Sequence, residues 1–452
     1  MSAPVEPAPV RVLHFVTGGF SGGATQVAIQ LVNAAREGST IEPLLVLRRK
    51  RRTPAQRIAE LREQGVPLAL VPGWSHLATI AALVRLCREF RPDVLVAHGF
   101  SEHLWGRYAG LLAKVPRLVH VEHNTRERYT AWRLAQTRWL AKRTDCIVGC
   151  SEGVREVLLA MGMPDERTIA IPNGIRLAPF AGADAHPHAQ RLPGIVMVAR
   201  FSKQKDHATL LRALALLGER GLRPALQLPG GGKALHRKPL EQLAAQLGIA
   251  DQVQFPGVVR DVPRRLLSHQ VCVLSTHYEG MPLALLEGMA AGCAVVGSAV
   301  PGVREVLEHG ETGLLVPESD PVALADALGE AAVFGDVAEH RFALRHRVAH
   351  LEAGAAVGLG AAEEVQVGEH RVGALEQGDV GAVDPRRLRS RRREVRGHLL
   401  VEREQAFEAR FRAQRLQHAA ALARVGAEHV GAGQVERADH GRGGCAQRGR
   451  PA

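Results

Sequence analysis

The sequence predicts an α/β protein in which two parallel sheets, each covered by helices, face one another across a cleft. Three observations predict it. Short apolar, β-branched runs alternate with longer amphipathic stretches along most of the chain. The alternation is interrupted once, by an Ala, Pro, Gly and His-rich stretch at 178–194, and then begins again. A glycine-rich stretch, TGGFSGGATQ, follows the first apolar run, where a strand would turn into a helix.

The first series opens with RVLHFV at 11–16 and, after the glycine stretch, a helix to about Ala35. LLVLR, LALVP, DVLVAHG, RLVHVEH, CIVGCS and TIAIPNG supply later strands, with helices expected at 54–64, 78–90 and 131–142. The second series starts at GIVMVAR, 194–200, and continues through ALQLPGG, VQFPG, VCVLST, AVVGSA and GLLVP. The expected domains are therefore 1–180 and 195–335, joined by a linker at 181–194. Past about residue 335 the texture changes. Residues 341–452 lack Ile, Lys, Met, Asn, Thr, Trp and Tyr altogether, and hold 20 Arg against 14 acidic residues. An out-of-frame reading of GC-rich DNA would produce such a composition, so 336–452 is expected to be a non-native or disordered tail. The alternative is a genuine basic tail that binds RNA or membrane.

The chain's 452 residues suffice for two ordinary domains and more, with 46% hydrophobic and 23% charged residues, a globular balance. No apolar run reaches membrane-spanning length, and the N-terminus carries no secretory pattern. The six cysteines lack paired CxxC spacing, which argues against a zinc site or a disulfide framework and for a cytoplasmic compartment. The net charge is +12. One dense run, Arg48-Arg49-Lys50-Arg51-Arg52, reads either as a solvated loop after a strand or as a patch for an anionic acceptor or lipid surface.

The chemistry concentrates in YEGMPLALLEGMAAG, 278–292. Pro282 suits the first position of a helix, which places Glu279 just before that helix and Glu287 within it. Such a strand-to-helix turn offers free amides and a dipole that favour a diphosphate. A carboxylate there must face something else, and sugar hydroxyls would supply donors. The plainer reading has Glu279 capping the helix and Glu287 in solvent. VARFSKQKDH adds Arg200 and Lys205 at a strand end, two cations able to neutralise a pyrophosphate leaving group.

ARFSKQKDHATLLRALALL, FPGVVRDVP, LSTHYEGMPLALLEGMAAGCAVV and GVREVLEHGETGLLVPESDPVALADAL resemble the family 4 glycosyltransferases. These are retaining enzymes of the GT-B fold, two Rossmann-like domains facing a cleft, that use nucleotide-sugar donors. The resemblance covers residues 11 to about 332 and is densest over 194–330. It implies that Glu279 contacts the donor sugar, and that the amides of Gly280, Met281, Pro282 and Leu283 (Pro282 lacking an N–H) surround sugar and phosphate. It further implies that Glu287 binds the ribose and that Arg200 and Lys205 steady the departing diphosphate. Gly22 and Gly23 match the family's first glycine loop. His123 matches a histidine facing the donor sugar, with His120 its nearby competitor. Asn173 and Gly174 read as a structural turn, and Ser151 as a helix N-cap.

The implied activity is metal-independent hexosyl transfer in cell-envelope polysaccharide, lipopolysaccharide or glycolipid synthesis, at the inner face of the plasma membrane. No cofactor is expected beyond the nucleotide-diphosphate sugar, and no Asp-x-Asp metal pair occurs in the domain region. The expected partners are that donor, a glycan or lipid-linked acceptor and an anionic membrane surface, with no specific nucleic acid. The chain departs from the family's habits at Thr25, at Arg176 and in GGGKALH, and nothing after 335 resembles the family's bracing helices. The alternatives are a nucleotide-sugar epimerase of the same fold, or an inactive remnant whose tail binds RNA or membrane. A Rossmann oxidoreductase fits the glycine spacing poorly.

Overall fold

The computed structural model describes residues 8–334, apart from 21, 39, 52, 127 and 128. The expectations for 336–452 lie outside the described residues. The first half comprises β1 (Val10–Thr17), α1 (Gly23–Glu37), β2 (Ile41–Arg49), α2 (Ala55–Glu63), β3 (Leu68–Pro72), α3 (His76–Phe90), β4 (Val94–His98), α4 (Glu102–Ala113), β5 (Arg117–Glu122), α5 (Ala131–Ala141), β6 (Cys146–Gly149), α6 (Glu152–Ala160) and β7 (Thr168–Ala170). The second comprises β8 (Leu192–Val196), α7 (His207–Glu219), β9 (Ala225–Pro229), α8 (Ala234–Gln246), β10 (Val253–Gly257), α9 (Val262–Ser268), β11 (His269–Leu274), α10 (Leu283–Ala290), β12 (Ala294–Ser298), α11 (Pro301–Arg304), β13 (Leu314–Val316) and α12 (Pro321–Phe334). Short 3-10 segments fill 178–185 and 188–190 between the halves.

The first sheet has seven strands ordered β3-β2-β1-β4-β5-β6-β7, and the second six, ordered β10-β9-β8-β11-β12-β13. The strand pairings are parallel throughout. In each sheet the order reverses between two central strands, β1 and β4 in one and β8 and β11 in the other. The loops leaving those strands part in opposite directions, so each sheet has a crevice at the carboxyl ends of its central pair.

The strands are apolar on both faces, as a parallel sheet covered by helices requires. In β1 the residues from Val12 to Val16 are all buried. Leu13 and Phe15 join Val46, Leu83 and Leu95 in one core cluster, while Val16 joins Ala28, Ile29, Val32 and Leu45 in another. Side-chain alternation along the strand thus feeds the α3–α4 layer and the α1–α2 layer separately. Each fully buried leucine in such a layer contributes about 1.5–3 kcal/mol. The core of the second half is continuous with the edge of the first, since Ile147, Val154 and Leu158 of β6 and α6 pack in one cluster with Ile195, Leu210 and Leu285.

Polar contacts fasten the same junction. Thr125 Oγ1 donates to the Glu279 carbonyl at 3.1 Å, and Asn173 Nδ2 to that of Met281 at 3.3 Å. A Cβ on Gly280 would collide with the His123 carbonyl, so only glycine lets the 278–282 turn lie against the end of β5. Glu305, just past α11, accepts from the backbone N–H groups of Glu152 and Gly153 at 2.7 Å each. Ser151 Oγ takes the Val154 N–H at 3.2 Å, the N-cap role expected of it. The first turn of α6 is therefore capped jointly by both halves of the protein.

Two expectations need correction. Pro282 precedes α10 as its N-cap, with φ −80° and ψ 108°, because Leu283 is the first residue to turn helically. The basic run is not wholly solvated either. Arg48, next to last in β2, is buried at 3.4 Å from Glu102, which Lys50 also reaches at 3.2 Å. Burial of the Glu102 carboxylate demands those cations. Among the five cysteines described, all are free thiols.

Candidate functional site

The loop from β8 to α7 carries Arg200 and Lys205, and the loop from β11 to α10 carries Glu279 and Gly280. Because β8 and β11 are the central pair, both loops lie at the crevice of the second sheet. Lys205 Nζ reaches Glu279 Oε1 at 2.5 Å, and Thr276 Oγ1 donates to the same oxygen at 2.7 Å. Gln204 stitches the two loops together. Its Nε2 donates to the Tyr278 carbonyl at 2.7 Å and to Glu279 Oε1 at 3.4 Å, while its Oε1 accepts from Arg200 at 3.0 Å. Glu279 does not cap α10, whose N-terminus has no side-chain cap. Its carboxylate is instead saturated on one oxygen by an internal cation, and its second oxygen has no hydrogen-bond donor among the described residues.

The start of α10 is correspondingly open. Leu285 N–H bonds back to Pro282, but the amides of Leu283 and Ala284 find no acceptor among the described residues. Four residues on, Glu287 is half-buried, and burial pushes its carboxyl up to about 7. It makes no side-chain hydrogen bond or ion pair among the described residues. Neither plain reading survives: Glu279 is no cap, and Glu287 is not in free solvent. A half-buried carboxyl without protein donors is free to accept hydrogen bonds from ligand hydroxyls.

The first half meets this site with the end of β5, backed by β4 and β1. His14, His98 and His123 form a chain, with His14 Nδ1 3.1 Å from His98 Nε2 and His98 Nδ1 3.2 Å from His123 Nε2. Burial depresses all three, His14 to about 4 and His123 to about 3, so the chain is neutral near pH 7. A neutral imidazole has one proton, hence the hydrogen bonds of the chain are coupled. If His98 donates from Nδ1, His123 must accept at Nε2 and present N–H at Nδ1, an atom that is buried without a partner among the described residues.

His120 is a different environment. It stacks on His103 with ring centroids 4.2 Å apart and belongs to a buried cluster with Glu122. His103, His120 and Glu122 have candidate ligand atoms within 4.8 Å of one another. A metal there conflicts with the protonation pattern. Arg107 sits 2.6 Å from His103 Nδ1 and can only donate, so the neutral ring holds its proton on Nε2. That N–H faces the Tyr129 hydroxyl at 3.0 Å, which in turn donates to Glu122 at 3.2 Å. Burial raises the Glu122 carboxyl to about 7 against the hydrogen bonds it accepts.

The glycine loop gives a mixed result. Gly22 is the N-cap of α1, and neither it nor Gly23 has any atom within 4 Å of where a Cβ would stand. Internal packing therefore does not require glycine at either position. Thr25 turns inward, its hydroxyl donating to the Thr17 carbonyl at 2.9 Å. Arg176 is exposed, with Glu37 at 3.9 Å. The structure thus brings Lys205, Glu279 and Gly280 into contact and sets His123 against them through Gly280, while Arg200 enters by way of Gln204.

Sequence reasoning missed Gln204, Thr276, His98 and Glu305. Only Gln204 had a local signal, its place between the two cations of the 200–205 loop. The others act through chain reversals that spacing does not reveal. A cavity of about 270 Å³ does occur in the second half, but its lining residues Pro193, Ile195 and Gln270 mark the amino ends of β8 and β11, opposite the site.

Two parallel-sheet domains joined where the end of β5 packs on the loop between β11 and α10 match the GT-B class of glycosyltransferase. The profile of the glycosyl transferases group 1 matches residues 183–332, and that of the glycosyltransferase family 4 matches residues 21–178. The chain belongs to family 4 of the glycosyltransferases, and it is a glycosyltransferase. It is similar to the putative glycosyltransferase EpsF of Bacillus subtilis, 28% identical over 347 residues, 72% of this chain and 88% of EpsF. The putative colanic acid biosynthesis glycosyltransferase WcaL of Salmonella typhimurium is 26% identical over 56% of this chain, a match that spans 65% of WcaL. In fold it is similar to Anabaena Alr3699/HepE in complex with UDP-glucose, with a TM-score of 0.66, 20% identity and coverage of 78% and 99% of the two chains.

Proposed function

We propose that the protein moves a hexose from a nucleotide-diphosphate sugar to a glycan or lipid-linked acceptor, with retention at the anomeric carbon and without a metal. The observation that carries this reading is the open start of α10, with the unpaired amides of Leu283 and Ala284, next to the Lys205–Glu279 pair. Diphosphate at that helix start would meet two N–H donors and the positive end of the dipole. Lys205, already anchored, would supply the compensating charge as the leaving group forms, with Arg200 steadied by Gln204. Glu287 would accept from ribose hydroxyls. Glu279 would offer its free oxygen to the sugar, and His123 would present Nδ1 from the other domain. On the front face, the departing phosphate oxygen would take the acceptor's proton.

UDP-glucose in the related fold of HepE supports a nucleotide-sugar donor. The colanic acid biosynthesis named for WcaL supports a polysaccharide or cell-envelope product. A thermal-shift panel of nucleotide sugars in EDTA tests the reading, since binding to the native state raises the melting temperature by mass action. One donor should stabilise the protein and then release nucleoside diphosphate when an acceptor is supplied. No stabilisation by any donor contradicts it, and an epimerised nucleotide sugar without diphosphate release would replace transfer by epimerisation.

A further inference from the structure

All four tryptophans of the chain, Trp74, Trp105, Trp132 and Trp139, lie in or beside α3, α4 and α5 of the first half. Three of them are exposed, Trp74 by 84%, Trp132 by 74% and Trp139 by 46%. Trp105 and Trp139 belong to a run of stacked rings. His76 stacks on Trp105 with centroids 4.2 Å apart, Trp105 faces Tyr108 at 6.5 Å, and Tyr108 faces Trp139 at 6.1 Å. Arg143 closes the run, its guanidinium 3.9 Å from the Trp139 ring centre. Trp132 and Trp139, seven residues apart on α5, share one helix face. Leu77 of α3 and Leu112 of α4 add exposed aliphatic surface on the same helices.

The charge along α5 has one sign. Helix α5 contains Arg133 and Arg138 and no acidic residue, and exposed Lys142 and Arg143 follow it directly. Exposed indoles mixed with cations match a bilayer interface, where the rings sit at headgroup depth and the cations meet anionic lipid. The chain's own 341–452 segment is a poor occupant, because its 20 arginines against 14 acids make it cationic as well. We propose that the α3–α5 aromatic face docks on an anionic phospholipid bilayer. The first turns of these helices follow the carboxyl ends of β3, β4 and β5, the end that carries His123. Docking would therefore set the rim of the first domain at the lipid surface. This last consequence rests on the lipid-linked acceptor proposed above; the docking itself does not.

The test uses the full chain with vesicles of phosphatidylcholine, with and without phosphatidylglycerol. Because every tryptophan lies on this face, intrinsic emission reports on it directly. Sedimentation with the anionic vesicles is expected, with a blue-shifted emission quenched by brominated acyl chains. The exposed-site variants W74S/W132S and K142E/R143E should each weaken binding by about tenfold or more while leaving the donor-induced thermal shift unchanged. Absence of anionic-vesicle binding, or equal binding by both variants, overturns the proposal. Quenching by a soluble oligosaccharide without vesicle binding also overturns it and assigns the face to a glycan. Loss of the donor thermal shift in wild type would instead strike the transferase reading and leave the docking result standing.

Discussion

Replacing Glu305 by alanine isolates the cap that one domain places on a helix of the other. Glu305 contributes two charge-assisted hydrogen bonds of 2.7 Å to the first amides of α6. A hydrogen bond to a charged group is worth about 1.5–3 kcal/mol, and a carboxylate at a helix start adds dipole energy. Glu152 is exposed and its amide would rehydrate once freed, so the low end applies, about 2–4 kcal/mol for the pair. Glu305→Gln keeps one acceptor and should lose roughly half of that. Amide hydrogen exchange reads the effect locally. The Glu152 and Gly153 amides should exchange about thirtyfold to several-hundredfold faster in Glu305→Ala. Ser151→Ala, which removes only the cap on Val154, should lower stability by about 1 kcal/mol. Exchange at Glu152 and Gly153 within about threefold of wild type would show that the interdomain cap carries no load in solution, and would refute the reasoning.

Other expectations follow from the buried titratable groups. The folded state holds His14, His98, His103, His120 and His123 neutral, because burial depresses His14 to about 4 and His123 to about 3 and lowers the other three well below the ordinary 6.5. The unfolded chain takes up those protons first, so their contribution is complete above about pH 6.5 and falls on acidification by about 1.4 kcal/mol per unit for each ring. Glu122 and Glu287, raised to about 7, act oppositely between about 4.5 and 7. His207, lowered to about 4 by burial, acts with the histidines, and together they outweigh the two carboxyls, so the urea midpoint should drop from pH 6.5 to pH 5; a flat or rising midpoint contradicts this. His98→Phe should lower kcat by about tenfold to a hundredfold with little change in donor KM, because His123 loses the partner at 3.2 Å that orients it, and His98→Gln should restore part of the loss. Equal kinetics for both variants would dismiss the relay. Lys205→Met should reduce turnover by about a hundredfold or more and donor affinity by less than about tenfold, read by steady-state kinetics beside calorimetry. A loss confined to affinity would contradict that assignment.

How far the sequence could be read depended on the range of the interaction. The β-branched runs announce strands such as β1 and β11, because parallel strands are buried on both faces and need no alternation to be recognised. The pairing of the 200–205 and 278–282 loops was legible once the two series were placed in one kind of sheet, since central-strand ends converge by topology. Partner choice inside the site was not. Nothing local says that Lys205 spends a hydrogen bond on Glu279, or that Arg48 leaves a basic run to neutralise Glu102, because each pairing joins residues more than fifty positions apart. The histidine chain was hidden for a similar reason, its members lying in or just past three different strands. Pro282 was displaced by one position because its fixed φ suits either side of a helix boundary.

The most direct test of the account is calorimetric titration of wild-type protein and Glu287→Ala, in EDTA, with a nucleoside diphosphate and with inorganic pyrophosphate. If the open start of α10 and its cations hold the two phosphates while Glu287 holds the ribose, the variant loses about tenfold or more in affinity for the nucleotide and none for pyrophosphate. Equal nucleotide binding by the two proteins, or no pyrophosphate binding by either, would contradict it.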